Sequence, residues 1–172
     1  MKKLISLFAA VVMIASFSNT VLAGDGAKAS ATATATIVTP ISITKTVDMN
    51  FGNVAVDVAA GGTVVLTPEG TRSLTGKVTL PATAGTVSAA AFTVNGQGEY
   101  TYAITLPGTA LTLTSGVNTM TISSFASTPS ATGALSSGTQ ALTVGATLNV
   151  GAAQAAGTYV SGTAFDVTVN YN

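Results

Sequence analysis

Period-two alternation is the feature that most restricts this chain. Tyr100, Tyr102, Ile104 and Leu106 fall on one side of an extended segment whose other side carries Thr101, Ala103 and Thr105, and Pro107-Gly108 closes it. Leu142, Val144, Ala146, Leu148 and Val150 alternate in the same way with Thr143, Gly145, Thr147 and Asn149, as do Phe165, Val167, Val169 and Tyr171 with Asp166, Thr168 and Asn170. A helix cannot gather such a set onto one face, whereas a strand buried on one side only does so automatically. Shorter pairs mark further strands: Val64 with Leu66, Val78 with Leu80, Phe92 with Val94, Leu111 with Leu113, and Met120 with Ile122. Counted between their Gly, Pro, Asn and Ser clusters, about ten strands result. Two sheets with one apolar face each bury those faces against each other, so the expected fold is an all-β, immunoglobulin-like antiparallel β-sandwich. Thr at the outward positions keeps strand propensity high without adding charge.

The start of the chain is organised differently. Met1, Lys2 and Lys3 are followed by an apolar run from Leu4 to Phe17, and Val21-Leu22-Ala23 precedes Gly24. A basic start, an apolar stretch and small residues at the end predict a cleaved signal peptide over residues 1–23. The run is roughly 14 residues at ~1.5 Å rise, too short for a ~30 Å hydrocarbon layer. No transmembrane segment is expected after it. The product is then exported, periplasmic in transit and finally at the cell surface or outside. Residues 24–40 form an extended N-terminal segment, and residues 41–172 the sandwich domain. A transmembrane barrel would need aromatic girdles, and with Phe8 and Phe17 in the leader only eight of the ten Phe and Tyr residues remain.

Chemistry is restricted by what the chain lacks. It has no Cys and no His, and only six acidic and six basic side chains. Without them there is no ordinary nucleophile and base pair, and no nitrogen or thiolate metal site. We therefore expect no enzyme, no catalytic residues, no cofactor and no metal. After leader cleavage Lys28, Lys45, Arg72 and Lys77 face Asp25, Asp48, Asp57, Glu69, Glu99 and Asp166, a net charge of 4 − 6 = −2. No basic cluster remains to neutralise phosphates, so nucleic acid is not an expected partner. Asp57 and Glu69 would have to meet across strands to do acid/base work, and solvated loop charges are the simpler reading. Asn95-Gly96-Gln97-Gly98 reads as a turn. Tyr159, beside Gly157, is the aromatic to test as a sugar platform.

Ala29 to Ile37 is the most unusual stretch. Ala29, Ala31, Ala33, Ala35 and Ile37 alternate with Ser30, Thr32, Thr34 and Thr36, so the extended chain carries a smooth apolar stripe on one side. Such a strand either folds back as the first strand of its own sandwich or inserts into a neighbour's sheet, where backbone hydrogen bonds give affinity and alternate side chains fill pockets. Pro40 cannot donate to a ladder and marks a break between this segment and the strand that begins near Ile41.

Three landmarks carry a family resemblance: ATATIVTPISIT, then Asp48-Met49-Asn50-Phe51-Gly52-Asn53-Val54, then Gly157-Thr158-Tyr159 with Phe165 to Tyr171. The chain resembles a family of bacterial secreted, Ala/Thr-rich domains of unknown function. The Asn-Phe-Gly and Gly-Thr-Tyr landmarks are also similar to those of spore coat protein U domains and of archaic chaperone-usher pilins. The second resemblance implies an incomplete immunoglobulin-like fold completed by the N-terminal strand of the next subunit. By that resemblance Ala29, Ala31, Ala33, Ala35 and Ile37 are the donor strand. Phe165, Val167, Val169 and Tyr171 border the acceptor groove, and a periplasmic chaperone and outer-membrane usher are partners alongside other copies or related subunits. The chain departs from those pilins in lacking a cysteine pair. The expected function is a non-catalytic structural subunit of a fimbria-like or cell-surface assembly. The alternative is a self-contained, monomeric secreted adhesin or carbohydrate-binding module.

Overall fold

A computed structural model describes residues 26–172; the leader expected at 1–23 lies outside the described residues. Two units are separated at Thr36/Ile37. Residues 26–36 form no strand or bridge, and their side chains are exposed. The second unit, Ile37–Asn172, is an all-β, antiparallel sandwich.

Its strands are β1 (Ser42–Val47), β2 (Ala55–Val56), β3 (Gly62–Leu66), β4 (Arg72–Gly76), β5 (Val78–Thr79), β6 (Ala90–Asn95), β7 (Thr101–Thr105), β8 (Leu111–Ser115), β9 (Asn118–Thr128), β10 (Thr132–Ala134), β11 (Thr139–Val150), β12 (Val160–Ser161) and β13 (Thr168–Tyr171). Among the described residues thirteen strands stand where alternation predicts about ten. The surplus is physical: β2, β10 and β12 span two or three residues, too few to show a period. β4 carries Arg72 where an apolar residue would have marked its inner face.

β11 organises the large sheet. Its full length pairs on one side with β6 and then β3, placed end to end, and on the other with β9. The sheet runs β1-β6-β11-β9-β8-β12, with β4 attached through β3. A three-stranded sheet β10-β7-β13 and a two-stranded ribbon β2-β5 complete the fold. The inner residues of β11 serve two apolar clusters. Ala146, Leu148 and Val150 join Phe51, Val64, Leu66, Val78 and Ile122, while Leu142 joins Val94, Tyr102, Leu135 and Val169.

Gly145 sits where β6 gives way to β3. A Cβ there would lie 2.1 Å from the Leu66 carbonyl oxygen and 2.8 Å from the Pro68 nitrogen, both main-chain atoms that cannot swing aside. Opposite it, β9 bulges, with the extra residue taken up near Ser124 at a φ of 52°.

The outward residues of the five strands β8, β9, β11, β3 and β4 come into register as rows. Thr112 pairs with Thr121, Thr121 with Asn149, Asn149 with Thr63, and Thr63 with Thr75. The next row is Ser123, Thr147, Val65 and Ser73. Neighbours bond directly within and between rows: Thr63 and Thr75 hydroxyls lie 2.7 Å apart, and Asn149 Nδ2 donates to Thr121 Oγ1 in its own row (3.3 Å) and to Ser123 Oγ in the next (3.1 Å). Cross-strand hydroxyl pairs of this kind support the sheet without charge.

The Asn-Phe-Gly landmark has a mechanical role. Asn50 Oδ1 accepts from Gly52 N (2.8 Å), Phe51 is buried in the core, and Gly52 takes a φ of 68°. Arg72 Nη1 donates to the Phe51 and Asn53 carbonyls at 2.6 and 3.0 Å. One guanidinium thus ties the turn to β4.

Gly145→Ala should cost about 2–4 kcal/mol, since main-chain atoms must move, whereas Gly116→Ala, at a φ of 60° with nothing within 4 Å, should cost only about 1 kcal/mol. Urea unfolding of the two variants measures the difference. Tyr102, fully buried, gives a pH signature: burial raises its phenol above the ordinary value of 10.0. Above about that pH the unfolded chain gives up a proton that the folded chain keeps, so this contribution to stability is whole below it and falls as pH climbs past it. Tyr102→Phe should remove that part of the alkaline loss, at a cost of about 1 kcal/mol for the bond its hydroxyl donates to Gln140 Oε1 at 2.7 Å; chemical denaturation between neutral and strongly alkaline pH reads both effects.

Candidate functional site

The candidate donor residues and the candidate acceptor residues behave differently. Ala29, Ala31, Ala33 and Ala35 are exposed and outside any strand, and Ile37, at the first position of the sandwich unit, is 96% exposed. Tertiary burial that would normally reward an isoleucine is absent there among the described residues.

The last strand is shorter than its alternation implies. Pairing begins at Thr168, so Phe165 and Val167 precede the ladder. Phe165 packs its ring on Phe125, centroids 5.0 Å apart, and Val167 packs on the cluster around Tyr102. Val169 and Tyr171 lie within β13, opposite Ile104 and Tyr102 of β7.

Among the described residues β13 has β7 on one side and no strand on the other, and β1 likewise has β6 on one side only. These two unpaired edges approach each other over one apolar cluster, to which β1 and its lead-in contribute Ile41 and Ile43, and β13 and its lead-in contribute Val167, Val169 and Tyr171. Ile41, Ile43, Val167 and Tyr171 are only half-buried. An unpaired edge beside partly covered apolar residues is the surface to which a strand adds.

The other edges are less suited. β10 has three residues and β12 two, while β4 begins with Arg72 and ends with Gly76. β1 itself carries Lys45, bonded to Asp48, and a register shift between Lys45 and Val47.

A polar cluster closes one end of the β1/β13 seam. The Tyr171 hydroxyl donates to the Thr39 carbonyl (2.7 Å) and accepts from Gln97 N (2.6 Å). Tyr100 meets the Tyr171 ring edge-on at 5.6 Å. Alternation marks Tyr171 only as a strand residue; its bond to Thr39, 132 positions away, carries no local signal.

The acidic residues stand apart in their own loops. Asp57 Oδ1 accepts from Ala59 N (2.8 Å). Glu69 accepts from the Thr128 hydroxyl (3.0 Å), and its carboxyl is held below the usual range, first by its own backbone N–H and then by the Thr67 and Thr128 hydroxyls. A lowered carboxyl pKa is opposite to what a general acid requires. Tyr159 is taken up locally, donating to the Ala155 carbonyl and accepting from Gln154 Nε2 (2.8 and 2.7 Å). A shallow depression of about 290 Å³ lies between the β7–β8 loop and the stretch before β13. Among the described residues no three acidic side chains gather in one place, and no helix is long and apolar enough to cross a membrane.

Among the described residues, fold and edges together define a β-sandwich in which β1 and β13 each leave one edge unpaired, with residues 26–36 exposed. The sequence model of a domain of unknown function, DUF4402, matches residues 41–171, and the chain belongs to that family. No curated protein and no solved structure matches it.

Gly96 fits under Tyr171 with no room for a side chain: a Cβ would lie 2.3 Å from the phenol oxygen and 2.9 Å from Leu135. Gly96→Ala should displace the phenol, lower stability by about 1–3 kcal/mol and change the near-ultraviolet circular dichroism of the Tyr100/Tyr171 pair.

Proposed function

We propose that the protein is an exported, non-catalytic structural subunit of a fimbria-like or cell-surface assembly, joined to its neighbours by strand addition. The observation that carries this reading is the pairing of two features in one chain. Among the described residues, an alternating Ala/Thr arm runs through residues 29–37 without a strand partner, and the edges of β1 and β13 are unpaired over a half-covered apolar cluster.

In this reading the arm of one copy lies along the β13 edge of the next. Its main chain supplies hydrogen bonds, and its alternate side chains meet Ile41, Ile43, Val167 and Val169. Each Ala methyl adds at most about 1 kcal/mol of burial at ~25 cal/mol per Å², so Ile37 is the strongest single anchor in the arm. The resemblance to spore coat protein U domains and archaic pilins supports the same mechanism and adds a periplasmic chaperone and an outer-membrane usher as partners during export. An exposed apolar edge is an aggregation hazard for a lone subunit, which is the physical need a chaperone would meet.

Deleting residues 29–37 from the mature chain should leave a cooperatively folded, soluble monomer that no longer forms fibres or higher oligomers. Size-exclusion chromatography and electron microscopy of the purified protein read the outcome. Assembly that survives the deletion refutes strand addition by this arm. An intact chain that stays monomeric at high concentration supports the self-contained secreted module instead.

A further inference from the structure

Thr39 stands at the root of the arm, and its polar atoms are engaged on every side. Its N–H and its hydroxyl both donate to Gln97 Oε1 at 3.3 Å, and its carbonyl accepts from the Tyr171 hydroxyl at 2.7 Å. Because the same phenol accepts from Gln97 N at 2.6 Å, the arm root, the turn after β6 and the end of β13 form one latch. Pro40 reinforces it covalently, since a residue before proline is confined to extended conformations.

An arm that folds back beside its own β1 must reverse direction between Ile37 and Ile41. A tight reversal there puts Thr39 and Pro40 at its centre. Two-residue hairpin turns need positive φ at the first central residue, a conformation unfavourable for a β-branched residue such as Thr. Proline, fixed near a φ of about −65°, cannot take the second central position of a type I′ turn. While the latch holds, Thr39 is also tied at its N–H, hydroxyl and carbonyl.

We propose that the Thr39–Gln97–Tyr171 latch prevents the arm from completing its own sandwich and so commits residues 29–37 to a second copy of the chain. This rests on the strand-addition reading above and adds what selects between the two fates of the strand. Gln97 and Tyr171 act here as positioning residues.

The test compares the full mature chain with its Gln97→Ala and Tyr171→Phe variants. Amide exchange at Ala31 to Ala35 is followed in dilute monomer, and the rate of assembly is followed after concentration. Gln97→Ala should give the arm amides about tenfold more protection, through pairing in cis, and slow assembly about tenfold, with the melting temperature of the sandwich unchanged. Loss of one hydrogen bond corresponds to roughly a two- to tenfold change in local opening, so in Tyr171→Phe the Gln97 amide should exchange faster by about that factor. Arm amides that stay unprotected in both variants, with assembly at the wild-type rate, overturn the latch while leaving strand addition standing. Assembly that no longer depends on residues 29–37 overturns both.

Discussion

Everything in the sandwich leans on β11. Its twelve residues pair with β6, β3 and β9, and its inner face, Leu142 to Val150, runs through both apolar clusters. Disulfides are one way to secure a small core; this chain has no cysteine. Continuity of one strand through two clusters takes over that task, because neither cluster can loosen without disturbing the ladder the other depends on. Gly145 allows that continuity, since only a residue without a side chain fits where β3 turns away.

From this strand the sheet extends to β1 at one edge, while β7 and β13 cover the cluster around Tyr102 from the opposite side. The sandwich therefore meets itself where the first strand and the last come together. Apolar side chains from both are only partly covered there, and polar bonds through Tyr171 fasten one end of the meeting. The features on which the proposed function rests are concentrated at this seam.

Much of this was legible in the sequence, for an identifiable reason. Wherever a strand is buried on one face only, alternation announces it: Val64 and Leu66, Leu142 to Val150, and Tyr102 with Ile104 all face inward in the structure. The all-β antiparallel sandwich follows from them. Period two fails where pairing is brief, as at β2 and β12, or where a residue is recruited by a distant partner. Tyr100 continues the alternation on paper yet stands 45% exposed outside β7, its ring turned to Tyr171. Arg72 gave no sign that it holds the Phe51–Asn53 turn, because a guanidinium bonding two carbonyls looks in sequence like any surface charge. The arm was visible as a pattern, and the latch at its root was not, since Thr39, Gln97 and Tyr171 come from three remote parts of the chain.

The hydroxyl rows on the outside of the large sheet carry a further consequence. Across β8, β9, β11, β3 and β4 the outward positions hold Thr, Ser, Asn, Val, Ala and Gly without a formal charge. Apart from the Glu69 carboxylate, which reaches this face at Thr128, dissolved ions have little here to screen. Its cross-strand bonds should therefore change little between dilute freshwater and brine, a tolerance that a face laced with ion pairs would lack.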